Sequence, residues 1–117
     1  MTTTISTDQR YLDVSLHSGT PDAANEVDYA GYHRMRISRS TDWWHAVDGG
    51  TYREMTTRQH IDFPECRGGP KQTVTHFAIW FQGVMAFRGP LWPSIPVREG
   101  CIPRLRKGTI VTWERLE

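Results

Sequence analysis

Polar and apolar positions alternate along most of this chain with the period of strands. The alternation is clearest in Thr73-Val-Thr-His-Phe-Ala-Ile-Trp-Phe81, where the first half alternates and the second half is apolar on both faces. That change is expected of a strand covered on two sides. Gln82-Gly83 follows, then Val84-Met-Ala-Phe-Arg88, with Gly69-Pro70 before the pair and Gly89-Pro90 after it. The pattern predicts a central antiparallel hairpin over residues 73–88. Leu12, Val14 and Leu16 alternate with Asp13, Ser15 and His17, predicting a half-buried strand that ends in the turn cluster Ser18-Gly-Thr-Pro-Asp22. Residues 23–30 read as a polar connection. Gly31 to Ser38 predicts a second strand, with His33, Met35 and Ile37 on one face and Tyr32, Arg34 and Arg36 on the other.

Farther along, residues 40–46 show no clear period, whereas Val47-Asp-Gly-Gly-Thr51 carries the Asp-Gly and Gly-Gly pairs favoured in tight hairpin turns. Arg53 to Phe63 predicts a strand ended by Pro64. Ile95-Pro-Val97 is interrupted by proline, which points to an edge or a loop. Gly108 to Glu114 predicts a strand near the C-terminus. Roughly six or seven short strands without an amphipathic helix indicate an all-β fold: an antiparallel β-sandwich or partly closed barrel, jelly-roll-like in its strand spacing. Residues 1–10 are polar, Thr-rich and aperiodic, so they read as a flexible N-terminal arm that orders against a partner surface. A single β domain over 11–117 follows.

Composition narrows the function. A chain of 117 residues fits one domain. Its 14 Lys and Arg against 13 Asp and Glu give a net charge of +1, too little overall field to hold nucleic acid by counterion release. Five Trp, four Tyr and four Phe suit a β domain that sticks to another surface. No apolar run approaches the roughly 18 to 20 residues that span a bilayer, and Met1-Thr-Thr-Thr-Ile-Ser-Thr7 lacks the regions of a signal peptide. No membrane partner is expected, and the chain is expected to stay where it is made. Cys66 and Cys101 are too few for a disulfide framework or a zinc site, and free thiols are expected.

Candidate chemistry is sparse. His17, His33, His45, His60 and His76 form no His-x-His or His-x-x-x-His pair, so no metal or other cofactor is expected. His76 reads as a core or cross-strand histidine with a backbone partner. There is no Gly-x-Ser-x-Gly elbow, and Gly49-Gly50 and Gly68-Gly69 lie outside any phosphate-binding frame, so an enzyme is not expected. What remains are candidate interface residues. Trp43, Trp44 and Trp92 lie in loop-like stretches, as anchors for a protein surface or stacking platforms for a sugar. Arg34 and Arg36 emerge on one strand face, where carboxylates of a neighbouring subunit can meet them, and Ile5 is an apolar contact on the arm. A second basic cluster is Arg104-Leu-Arg-Lys107, while Trp80 and Trp113, inside strands, are assigned to the core.

Leu16-His-Ser-Gly-Thr-Pro-Asp22, Asn25-Glu-Val-Asp-Tyr-Ala-Gly-Tyr32, Ile61-Asp-Phe-Pro64 and Val74-Thr-His-Phe-Ala-Ile79, taken in order, resemble a family of small tailed-bacteriophage virion proteins. The ending Gly100-Cys-Ile-Pro-Arg-Leu-Arg-Lys-Gly-Thr-Ile-Val-Thr112 is similar to that family too, whereas Trp43-Trp44 and Leu91-Trp-Pro93 depart from its pattern. The resemblance covers most of the chain after residue 11 and implies a structural protein of head or tail, without catalytic residues. The first expectation is a capsid decoration or cement protein, a homo-oligomer bound to the major capsid protein in the virion after assembly in the host bacterial cytoplasm. The alternative is a tail or tail-fibre component bound to a tail protein. A carbohydrate-binding module using the loop tryptophans comes third.

Overall fold

The computed structural model describes residues 11–19, 25–38, 40, 42–48 and 52–114, with the backbone alone for 46–48, 52–55 and 110–114. The N-terminal arm with Ile5, the turn expected at 49–51 and the side chain of Trp113 lie outside this set. Among the described residues nine strands follow in order: β1 Tyr11–His17, β2 Met35–Ser38, β3 Trp44–Asp48, β4 Tyr52–Thr57, β5 Ile61–Asp62, β6 Gln72–Phe81, β7 Val84–Val97, β8 Arg104–Leu105 and β9 Ile110–Glu114. They form a four-stranded sheet β2-β1-β6-β7, a three-stranded sheet β3-β4-β9 and the pair β5-β8. All ladders are antiparallel, and no helix occurs among the described residues. The fold is all-β and sandwich-like, and it does not close into a barrel.

The four-stranded sheet is built on its two interior strands. Leu12, Val14 and Leu16 of β1 are buried as their spacing predicts, but Ser15 and His17 on the other face are fully buried as well. On β6, Phe77, Ala78 and Ile79 are buried in succession, which matches the run that is apolar on both faces. Gln82 and Gly83 join β6 to β7 with φ of 53° and 80°. Two successive left-handed residues give the turn that matches strand twist, and glycine takes its share of that geometry at little cost. The predicted hairpin is therefore present but not central, since β7 is the outer strand of its sheet. Pro90, Pro93 and Pro96, which lack an N–H to donate, are tolerated there.

One core joins the three sheets. Val14, Leu16, Phe77 and Ile79 pack with Trp44 of β3, Ile61 of β5 and Leu105 of β8. The stretch read as a polar connection contributes Val27 and Tyr29, both 2% exposed. Tyr29 donates to the carbonyl of Pro64 at 2.6 Å, and burial pushes its hydroxyl up to about 12. Trp44 corrects the expectation of an exposed anchor: it is 3% exposed and its indole N–H donates to the carbonyl of Ser38 at 2.9 Å. The aperiodic stretch is in fact the start of β3, with Trp44 paired to the buried Thr57. The strand expected over residues 53–63 is broken in two, because β4 pairs with β3 and β9 whereas β5 leaves that sheet to pair with β8. Cys66 and Cys101 are free, the first buried and the second partly so.

Candidate functional site

Two polar clusters flank β1, one sealed in the core and one on the sheet face with its groups already paired. Pairing of β1 with β6 brings the indole N–H of Trp80 to Ser15 Oγ at 2.8 Å. Ser15 Oγ lies 2.7 Å from His17 Nε2, and His17 Nδ1 lies 2.9 Å from Asn25 Oδ1. The amide oxygen only accepts, so Nδ1 carries the proton, Nε2 accepts from Ser15, and Ser15 accepts from Trp80. This is a serine, a histidine and an amide in the order of a nucleophilic triad, but Ser15 and His17 are both 0% exposed and no substrate reaches them. The chain of bonds satisfies buried polar groups and ties β1 to β6. The core histidine is thus His17. His76 takes the second of its expected places, as the cross-strand partner of His17; it is only partly buried and bonds to the side chain of Thr75 at 2.9 Å.

The second cluster accounts for the arginines. Arg34 clasps Glu26 through Nε at 2.9 Å and Nη2 at 2.8 Å, while Tyr32 donates to the same carboxylate at 2.6 Å. The Arg34 guanidinium also lies 4.0 Å from the centre of the Trp80 ring, which makes Trp80 a stacking partner on the sheet face as well as a donor to the core. Arg36 reaches Asp13 at 3.2 Å. Both arginines could, from the sequence, meet carboxylates of a neighbouring subunit. In the fold they pair with carboxylates of their own chain, because the β1–β2 register places Asp13 opposite Arg36 and the Glu26 segment lies beside Arg34.

Burial alone would raise the Glu26 carboxyl, but the bonds from Arg34 and Tyr32 outweigh it and hold the group below its ordinary 4.5. A depressed carboxyl stabilises the fold above its unfolded value, and the contribution disappears as pH falls through the folded one. Glu26→Gln should therefore cost about 1 to 3 kcal/mol at pH 7, the range for a hydrogen bond to a charged group. Urea melts of the variant and the parent protein should converge below pH 4.5. A gap that persists undiminished at pH 3 would mean that the charge of Glu26 is not what the variant removes.

A different surface is open. The β6–β7 ladder loses register twice. Ala86 is an extra residue between the pairs Ile79–Phe87 and Trp80–Met85. More severely, Leu91, Trp92, Pro93 and Ser94 stand opposite Thr75 alone, between the pairs His76–Pro90 and Val74–Ile95. The surplus backbone bulges from the outer strand, with a cis peptide between Trp92 and Pro93. Trp92 is 91% exposed as a result.

Beside this bulge runs the β5–β8 pair, where Leu105 points into the core and Arg104 and Arg106 point out. A cleft of about 480 Å³ lies between them, with Leu91, Trp92 and Ile95 on one side and His60, Arg104 and Arg106 on the other. A neighbouring cleft of about 310 Å³ shares Trp92 and Arg106 and adds Lys107. Arg104 is held by both oxygens of Asp62, at 2.6 and 3.1 Å, and this contact keeps the Asp62 carboxyl below its usual value. His60 Nδ1 accepts the backbone N–H of Lys107 at 2.9 Å, which leaves its Nε2–H free to donate.

Of the three candidate tryptophans, then, the structure leaves one on the surface. Trp43 is half-buried against the core, and Trp44 is in it. The convergence of Trp92 with His60 and Arg106 was not visible in the sequence. Its one trace was the basic cluster Arg104-Leu-Arg-Lys107. Among the described residues, no three histidine, cysteine or acidic side chains gather as a metal site would require. No curated protein matches the chain. A family model described as Podophage GP4 fiber I protein gp80 matches residues 2–112, nearly the whole chain, and the chain belongs to this family of bacteriophage virion structural proteins.

Proposed function

We propose that this chain is a non-enzymatic component of the phage tail or its fibres. The observation that carries the reading is the match over residues 2–112 to a family described by a podophage fibre protein. It favours the tail-fibre alternative over the head decoration that the resemblance first suggested. The fold supports a structural role: the serine–histidine–amide chain is sealed from solvent, and the arginine–carboxylate pairs brace the sheet face. With a net charge of +1, association with a tail protein and with further copies of the chain meets little long-range repulsion.

Separation of heads from tails in purified particles, followed by quantitative mass spectrometry, tests the assignment. The chain should travel with the tail and fibre proteins at a copy number far below that of the shell protein. Recovery with tailless heads, at a copy number comparable to the shell protein, would restore the decoration reading.

A further inference from the structure

We propose that the cleft beside Trp92 binds an acidic saccharide, a sugar ring that stacks on the indole while its carboxylate is met by Arg106 and His60. The inference goes beyond the structural role and does not depend on it. The indole of Trp92 is 91% exposed, and the bulge of β7 holds it outside the sheet at the mouth of the cleft. The apolar face of a sugar ring suits such a platform, because an indole offers a flat apolar body with a polar edge.

The opposite wall selects the charge. Arg104 is already compensated by Asp62, but the Arg106 guanidinium has no carboxylate partner among the described residues. His60 presents an N–H, since its other ring nitrogen is occupied by the Lys107 backbone. Lys107 adds a second cation in the adjoining cleft, without a carboxylate partner among the described residues. The ionisable side chains that line both clefts are thus donors, with the one adjoining carboxylate, Asp62, taken up by Arg104, which suits a carboxylate better than a neutral hydroxyl that must also donate. A volume of about 480 Å³ lies within the range of small-ligand sites, roughly 300 to 1,000 Å³. Single-stranded nucleic acid also combines stacking bases with anions, but it needs a basic groove that tracks its backbone, and the net charge of +1 argues against one.

The test uses the full chain on an array of uronate-bearing, sialylated and neutral oligosaccharides, with an oligothymidylate as competing polyanion. Retention of at least one acidic glycan, at least tenfold more tightly than its neutral counterpart, is expected. Trp92→Ala and Arg106→Ala should each weaken that binding tenfold or more, and raised salt should weaken it further. Val84→Ala, exposed at the other end of β7, should not change it. Both test positions are on the surface, so circular dichroism should show the fold unchanged, and Arg106→Ala decides the matter if Trp92→Ala proves unstable. Equal binding of neutral and acidic glycans, indifference to both substitutions, tighter binding of the oligothymidylate, or no retained glycan would each overturn the proposal.

Discussion

Replacing Phe77 with alanine should destabilise the protein by about 3 to 5 kcal/mol, the range for emptying a large aromatic site in a packed interior. Phe77 is 1% exposed on the interior strand β6, between Leu16 of β1 and Gly89 of β7. Its ring centre lies 5.7 Å from that of Phe87, at 42° between the planes. Phe87 reaches this position by leaning over Gly89, where an added Cβ would fall 2.9 Å from one of its ring carbons. Glycine on β7 is therefore the space that Phe87 occupies, and Phe77 is the wall against which it rests. Truncating Phe77 removes that wall and leaves two strands facing a void. Urea denaturation measures the loss, and a change below about 1 kcal/mol would mean that the site collapses freely and is not a fixed part of the core.

The second large effect is expected at His17. Alanine there opens a cavity and deprives Ser15 and Asn25 of the bonds at 2.7 and 2.9 Å, which together should cost about 3 to 5 kcal/mol. His17→Phe separates the two causes. It fills the space but still strands the Ser15 hydroxyl, which is 0% exposed and cannot turn to water, so about 1 to 3 kcal/mol should remain. The indole N–H of Trp80 gives an independent readout, because Ser15 is its acceptor. Its hydrogen exchange should be slow in the parent protein and much faster in Ser15→Ala. Equal exchange rates in the two proteins would show that this bond does not hold the strands together.

Much of the architecture was legible from strand-length apolar or alternating runs bounded by turn residues. The hairpin of β6 and β7, strand β1 and the C-terminal β9 were read in this way. The signal failed where burial was decided by a distant partner. Trp44 reads as a loop tryptophan until β4 is laid beside it, and Val27 and Tyr29 sit among polar neighbours whose own side chains face away. Strand β8, at two residues, is too short to have a period at all. The candidate site was least legible of all. Trp92 was singled out, but its exposure comes from a length mismatch with a strand some residues earlier, and the cations beside it arrive through the separate pairing of β5 with β8.

That mismatch also bears on how such a protein can diversify. The pairs His76–Pro90 and Val74–Ile95 close the ladder on either side of residues 91–94, so the number and kind of residues between them are uncoupled from strand registry. Leu91 packs against the core, but the exposed residues 92–94 can be lengthened, shortened or rewritten with the core contacts of Phe77 and Val74 left in place. A viral lineage therefore has in residues 92–94 an interchangeable tip, where what is displayed to the outside can drift while the body that displays it stays constant.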